Sequence, residues 1–178
     1  DEDFDILKRH GVTVACCPAS NLKLASGYAN VPKMLESGIN VALGTDGAAS
    51  NNNLNIMQDM YLFGVVYKGY FRDPTIITPA EVLHAATRAG ALSQGRDDSG
   101  LLAVGMRADL CVLNTDTPQF TPMTSAACNV VYAAQGADIR MTMVDGEVLY
   151  RDGEFKTIDI EKVKAEVQRR TDSILSRL

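Results

Sequence analysis

The chain has 178 residues, of which 46% are hydrophobic and 22% charged, values typical of a globular domain with a real core rather than a disordered chain. Its 17 basic and 22 acidic residues give a formal net charge of −5, and no cluster of Lys or Arg offers an electrostatic footprint for nucleic acid. No apolar run reaches the roughly 18 to 20 residues that a membrane helix requires. We therefore expect no nucleic-acid partner and no membrane partner.

The N-terminal segment reads DEDFDILKRH, which is acidic and amphipathic and unlike a signal or transit peptide. It does not begin with Met, so we expect the chain to be part of a longer protein. The four cysteines, Cys16, Cys17, Cys111 and Cys128, form no C-x-x-C pair, so neither a zinc ribbon nor a thioredoxin-type site is indicated. We expect reduced thiols and a cytoplasmic location, with Cys111 and Cys128 as small buried side chains.

The first quarter of the chain predicts helices that alternate with apolar strands. We expect a helix over 3–10, a strand over 12–17, a loop over 19–30, a helix over 31–37 and a strand over 39–45. Asp3 is a plausible N-cap of the first helix, Gly11 suits the left-handed position past its end, and Pro18 ends the first strand. Apolar strands separated by short helices indicate a parallel sheet covered on both faces.

A longer helix is predicted over 54–68. Its apolar stripe would consist of Leu54, Met57, Met60, Tyr61 and Val65. The three asparagines at 51–53 are expected to cap this helix. The next helix should start at the sequence TPAE, because Thr78 can cap it, Pro79 suits the first position and Glu81 completes a capping box. It runs to about residue 88, and a further short helix is predicted around 90–94.

The pattern changes after residue 100 to strands joined by tight turns. The segment ADLCVLN at 108–114 predicts a strand, and the two Asp-Gly pairs within 139–155 predict β-hairpins. The last helix is predicted over 160–178, capped by Asp159. Its periodicity indicates a buried stripe made of Ile160, Val163, Val167, Ile174 and Leu178.

These elements predict an α/β fold in three parts: βα units over 1–98, a β-sandwich segment over 99–156 and a C-terminal helix over 157–178. Two parallel strands cannot bury both faces by themselves, so we expect the chain to be the C-terminal part of a larger α/β fold. Uncovered strand edges and apolar faces tend to pair, which predicts a homo-oligomer or burial against a further segment.

Functional residues of βα units follow the carboxyl ends of the strands. Cys16, Ser20 and Asn21 follow the first strand, and Asp46 and Ser50 follow the second, so both groups should face one pocket. Asp46 could be a turn or N-cap acid. It could also be a carboxylate ligand of a divalent cation that accepts a proton from a metal-bound water. The residues alone leave both interpretations open.

Two stretches, CCPASNLKLASG at 16–27 and GTDGAASNNN at 44–53, together resemble the amidohydrolase superfamily. The resemblance is to the branch of methylthioadenosine/S-adenosylhomocysteine deaminases and related chlorohydrolase-like enzymes. Residues 99–113 resemble the segment by which such chains return from the barrel into a small β-sandwich, and residues 143–155 resemble the hairpin that follows. The similarity covers almost the whole chain.

The resemblance implies a distorted TIM barrel that binds one divalent metal, zinc or iron. Its ligands would be a His-x-His pair, two later histidines and an aspartate that Asp46 matches. The metal lowers the pKa of its water to about 7, and the aspartate takes the proton as the amino-bearing carbon is attacked. His10 and His84 lie in no metal motif, so the histidine ligands and a glutamate acid should precede residue 1. We therefore predict that this chain alone binds no metal tightly and is inactive.

The resemblance also suggests how substrate is bound. It places Ser50 near the substrate base and Asn21 and Leu22 above the neighbouring strand; Asn21 could instead bond its own loop backbone. Cys16 stands where many relatives have a histidine that faces the substrate, so it is a further candidate contact. Asp109, by contrast, is expected to be structural.

The predicted reaction of the full-length protein is hydrolytic deamination of an aminated purine nucleoside or related ring, a small-molecule substrate. The alternatives are hydrolytic dechlorination or another ring aminohydrolase reaction of the same family. A catalytically silent scaffold is a third possibility, because the ligand set within the chain is incomplete. A dinucleotide-binding fold is disfavoured, since GTDGAASN lacks the G-x-G-x-x-G spacing that admits a pyrophosphate.

Overall fold

The computed structural model describes residues 2–177. The first part contains α1 (Glu2–Arg9), β1 (Thr13–Cys16), α2 (Pro18–Lys23), α3 (Val31–Glu36), β2 (Asn40–Leu43), α4 (Ala48–Asn51), α5 (Ile56–Phe71), α6 (Pro79–Ala86) and α7 (Arg88–Ser93). The second contains β3 (Leu110–Leu113), α8 (Ala126–Tyr132), β4 (Ile139–Val144), β5 (Glu147–Arg151), β6 (Glu154–Phe155) and α9 (Ile160–Leu175). The α/β class that the sequence predicts is confirmed.

Strands β1 and β2 form a parallel pair, as predicted, with Thr13 opposite Asn40 and Cys16 opposite Leu43. Both strands therefore end at the same level, and the Gly44 N–H donates to the Cys16 carbonyl at 2.9 Å. Helices α5, α6 and α7 pack against β2, and three of its four residues are buried. The loops that follow the two strands consequently emerge side by side.

The core is centred on α5, which packs against α2, α6 and α8. Its fully buried members include Met60, Phe63 and Tyr67. The predicted stripe of this helix is partly wrong, because Tyr61 is 47% exposed and Leu54 lies outside the helix with 61% of its surface exposed. The predicted stripe steps by four residues from Met57 to Tyr61 and drifts off the buried face, which continues through Met60, Phe63 and Tyr67.

Three predicted boundaries are also wrong. Residues 19–23, expected as loop, belong to α2, because Pro18 both ends β1 and occupies the first helical position. The cap of α5 is Asn55, whose side chain accepts from the Met57 N–H at 3.1 Å, so the asparagines at 51–53 do not cap it. Asp3 lies within α1 rather than before it. The expectations for Gly11 in the left-handed region and for the capping box at residue 78 are confirmed.

The second sheet is antiparallel in the order β3-β4-β5-β6. Both predicted Asp-Gly turns are present, with φ of 51° and 83° at Asp145 and Gly146, the values that a type I′ turn requires. Asp109 lies just before β3 and accepts hydrogen bonds from the Asp145 N–H at 2.7 Å and the Ser99 hydroxyl at 3.2 Å. These bonds attach the hairpin to the chain that enters the sheet, in agreement with the structural role predicted for Asp109.

Helix α9 has no buried residue among those described. Val163, Val167 and Ile174 are 44%, 58% and 60% exposed, so the predicted buried stripe is wrong for them, and Leu178 lies outside the described residues. Cys111 and Cys128 are likewise exposed rather than buried. The periodicity identifies an apolar face but not what covers it. No helix within residues 2–177 is both long and apolar enough to span a membrane.

Candidate active site

Asp46 lies in the loop that leaves β2, in the left-handed region with a φ of 63°. Aspartate tolerates this conformation better than most residues, and it turns the side chain toward the loop that follows β1. One carboxylate oxygen accepts the Gly47 N–H at 2.7 Å, and the other accepts the Ser20 hydroxyl, also at 2.7 Å. The side chain is therefore held in one orientation although it is exposed.

These hydrogen bonds also set the charge of Asp46. Donors from Ser20, then Ser50, then the Gly47 backbone lower the pKa of the carboxyl, and desolvation opposes them only weakly. Such donors bind the charged form and so favour it. Two carboxylate oxygens offer about four lone-pair positions, and the donors leave part of them open. The result is an oriented, ionised and accessible carboxylate, which suits a ligand or a proton acceptor.

Ser50 lies close to Asp46, as expected. It belongs to α4, is half-buried, and its hydroxyl donates to the Gly47 carbonyl at 3.0 Å. The Ser50 carbonyl accepts from Lys23 Nζ at 2.8 Å, and Lys23 also bonds the Asn52 side chain. Lys23 thus joins α2 to the loop that follows α4.

The two other predicted contacts after β1 lie on α2 rather than on a loop. Asn21 is half-buried, and its side chain makes no hydrogen bond within the described chain, so the alternative in which it bonds its own backbone is not supported. Leu22 is 42% exposed. Ser20, expected in the same pocket but given no role there, makes the contact to Asp46. A helix places adjacent residues about 100° apart, so reading the segment as loop concealed which residue faces Asp46.

Cys16 does not lie at the surface of this site. It is 3% exposed, and its sulfur lies 3.5 Å from the Tyr67 hydroxyl inside the core. Its burial among the described residues does not favour the substrate contact expected for Cys16, which stays a prediction. Cys17 lies beside Asp46 instead, and a hydrogen bond from the Asp46 backbone reaches it. Burial first, and then the negative charge of Asp46, raise the pKa of the Cys17 thiol, which keeps it a neutral neighbour.

The described residues offer Asp46 as one candidate metal ligand rather than a complete set. Within residues 2–177, no three His, Cys, Asp or Glu side chains come close enough to hold an ion together. His10 and His84 are exposed, near the end of α1 and on α6. The donor chemistry therefore fits a divalent metal only if the other ligands come from further polypeptide, with Asp46 as one contribution.

Comparison with known proteins identifies the family of the chain. A family model described as the amidohydrolase family matches residues 1–149. The chain belongs to the amidohydrolase family. It is 41% identical over 177 residues to a 5-methylthioadenosine/S-adenosylhomocysteine deaminase of Dictyoglomus thermophilum, covering 99% of this chain and 42% of that protein. It is 40% identical over 178 residues to a 5'-deoxyadenosine deaminase of Methanosarcina mazei, covering 100% of this chain and 41% of that protein.

Solved structures of amidohydrolases superpose closely on the chain. An adenosine deaminase from Xanthomonas campestris with bound zinc matches with a TM-score of 0.94 and 30% identity, over 98% of this chain and 40% of that one. A zinc complex of the atrazine chlorohydrolase from Arthrobacter aurescens matches with a TM-score of 0.86 and 27% identity, over 94% of this chain and 38% of that one. The predicted resemblance is confirmed, and the chain spans about two fifths of the relatives it matches.

Proposed function

We propose that the chain is one part of a metal-dependent amidohydrolase that hydrolytically deaminates an aminated purine nucleoside, and that Asp46 is one of the metal's ligands. The observation that carries the proposal is the Asp46 carboxylate, held by Ser20 and Gly47 at 2.7 Å each and yet accessible. It lies where parallel strands end, the usual position of catalytic groups in βα folds. The division at residues 98 and 156 into βα units, sandwich segment and final helix is part of the same proposal.

A zinc or iron ion, when bound, would supply the Lewis acidity that activates a water at neutral pH. This chain would contribute an ionised proton acceptor, the Asp46 carboxylate, beside the proposed metal site. The Ser20 hydroxyl and the Gly47 N–H keep the Asp46 carboxylate charged and fixed, so it can accept a proton and release it toward the leaving ammonia. Ser50, Asn21 and Leu22 are the proposed substrate contacts of this chain.

The choice of an adenosine-type substrate is supported by the relatives. The named nucleoside deaminases are 40% and 41% identical to this chain, whereas the chlorohydrolase is 27% identical. Removal of chloride from a triazine is the second candidate, because the fold matches that enzyme with a TM-score of 0.86. A silent scaffold is the third, because one carboxylate alone cannot hold the metal.

Two further statements belong to the proposal, a homo-oligomer and a cytoplasmic location. The oligomer is supported by exposed apolar side chains such as Leu102, at 78%, and Val104, which is fully exposed. Light scattering on the full-length protein would contradict it by giving the mass of one chain. Imaging of the tagged protein tests the location, and export from the cytoplasm would exclude it.

The decisive assay supplies the full-length, metal-loaded protein separately with methylthioadenosine, 5'-deoxyadenosine and a chlorotriazine. We expect ammonia from the nucleosides and no chloride from the triazine. Asp46→Asn, which keeps shape but removes the charge, should lower kcat by about 1,000-fold, within the range for a lost general base. The 178-residue chain alone should release nothing and retain no stoichiometric metal. Chloride release would favour the second candidate, and no turnover by a metal-loaded protein would favour the scaffold.

A further inference from the structure

A second aspartate, Asp59, lies behind the loop that carries Asp46. It belongs to α5 and has no exposed surface. One of its carboxylate oxygens accepts the Ala19 N–H at 3.1 Å, and the other accepts the Asn51 side-chain amide at 3.0 Å. Asp59 therefore reaches from α5 to both the segment after β1 and the segment after β2.

This burial is costly. The charged form of a buried carboxyl loses its hydration, and burial raises the pKa of Asp59 against the lowering effect of its two hydrogen bonds. Both donors are neutral, and no Lys, Arg or His forms an ion pair with Asp59 within the described residues. A buried acid without a counter-charge is a poor source of stability, so its position calls for another explanation.

The first contact of Asp59 fixes the segment that carries Ser20. Helix α2 begins at Pro18, and its N-cap residue Cys17 offers no side-chain acceptor to the free N–H groups of the first turn. The Asp59 carboxylate accepts one of them, that of Ala19. Ser20 is the next residue, is 2% exposed, and donates to Asp46. Asp59 thus serves as the missing cap of the helix that positions Ser20.

The second contact fixes the residue before Asp46. The Asn51 amide nitrogen donates to Asp59 and also, at 2.7 Å, to the Thr45 carbonyl. Its oxygen accepts the Asn53 N–H at 3.3 Å. Reversing this amide would place its oxygen against a carbonyl and a carboxylate, so only one orientation satisfies the three groups. Through Asn51, Asp59 determines where the backbone that enters Asp46 lies.

We propose that Asp59 is a positioning residue for Asp46: one buried carboxylate holds the two segments whose side chains meet in the hydrogen bond from Ser20 to Asp46. Asp59 itself touches neither substrate nor metal in this scheme. The consequence for catalysis rests on the proposed function, whereas the consequence for the geometry of Asp46 does not.

The test is Asp59→Asn in the full-length protein. An amide at this position turns an NH₂ group toward Ala19 N–H or the Asn51 amide, both of which are donors, so at least one hydrogen bond is lost. We expect kcat to fall by about 10- to 100-fold, as is typical when a residue that supports a metal ligand is changed, with little change in KM. Asp59→Glu, which keeps the acceptor oxygens, should recover part of the loss.

The matched control is Asp138→Asn. Asp138 is also buried, at 8% exposure, and also accepts one side-chain amide, from Gln119 at 2.9 Å, and one backbone N–H, from Gln135 at 2.7 Å. It lies in the segment before β4, so its loss should reduce stability but leave kcat per folded molecule unchanged. A general effect of disturbing a buried acid would appear equally in both variants.

Crystal structures of the variants supply a measurement independent of activity. In Asp59→Asn we expect the 2.7 Å contact from Ser20 to Asp46 to open or the Asp46 side chain to change rotamer, and in Asp138→Asn we expect neither. An unchanged Asp46 geometry, or equal kcat in the two variants, overturns the proposal. If the wild-type protein does not deaminate nucleosides, the proposed function fails. The geometry of Asp46 in the variant structures then decides whether Asp59 positions it. If Asp59→Asn does not fold, Asn51→Ala decides, because normal kcat and geometry in that variant contradict the scheme.

Discussion

The region around β1 and β2 and the region formed by the antiparallel sheet and α9 differ in how far their apolar side chains are buried. In the first, Val41, Phe63 and Val82 are almost completely buried within one core. In the second, Val112 is 43% exposed and Val167 is 58% exposed. The exposed helix α9 has a clear apolar face in the sequence, so the difference lies in what each apolar face packs against.

The comparison shows which region contributes most of the stability and which region contains the candidate catalytic residues. The first region is covered by its own helices and by α8, and the buried supports of Asp46, namely Ser20, Asn51 and Asp59, all lie within it. The second region is held mainly by backbone ladders and by exposed ion pairs such as Arg140 with Asp152, at 2.7 Å. Exposed pairs contribute little, about 0 to 1 kcal/mol each. The same kind of substitution should therefore change the free energy of unfolding more in the first region than in the second.

The largest difference should come from truncating one apolar side chain in each region. Phe63 is fully buried and meets the Tyr67 ring edge-on at 5.8 Å between centroids. Phe63→Ala should lower the free energy of unfolding by about 3 to 5 kcal/mol. Val167→Ala, on exposed α9, should change it by less than about 0.5 kcal/mol. Chemical denaturation measures both, and similar losses would show that α9 is covered in solution.

A smaller difference should follow from removing one helix cap in each region. The Thr78 hydroxyl accepts the Glu81 N–H at 3.3 Å, and α6 packs against β2 and α5. Thr78→Ala should lower the free energy of unfolding by about 1 kcal/mol. Asp159 caps α9 in the same way, accepting the Lys162 N–H at 3.0 Å. Asp159→Ala should reduce helix content by circular dichroism but leave the denaturation midpoint unchanged; a shifted midpoint would mean that α9 folds together with the core.

Much of this fold follows from local signals. The parallel strands, the capping box at Thr78 and the Asp-Gly turns were predictable because each depends on residues close in sequence. The start of α5 was missed because any of several consecutive asparagines can cap a helix, and only packing selects Asn55. The exposure of α9 could not be predicted, because a periodic pattern reports an apolar face and not its cover.

The candidate site was predictable in part. Asp46 was singled out because the residues around it resemble a known family, whereas its position at a strand end alone left a turn acid open. Asp59 was missed because an aspartate within an apolar helix resembles a surface residue until its burial is known. The contact from Ser20 to Asp46 was not predicted because the direction in which a side chain points depends on whether its segment is helix or loop. A search for acidic residues on the core-facing side of each predicted helix would have identified Asp59.

The smallest effect should be a pH dependence confined to the second region. Glu166 on α9 accepts from Arg169 and Arg170, each at 2.7 Å, and these hydrogen bonds lower its pKa from 4.5 to about 2. Because the folded pKa lies below the ordinary one, this contribution is complete above pH 4.5 and disappears as the pH falls toward 2. The Glu166 side chain is 42% exposed, so salt should partly screen the effect. We expect amide exchange in α9 to quicken over this range, and Glu166→Gln to remove that dependence while the exchange of α5 is unaltered. Equal acceleration in both helices would instead indicate acid unfolding of the whole chain.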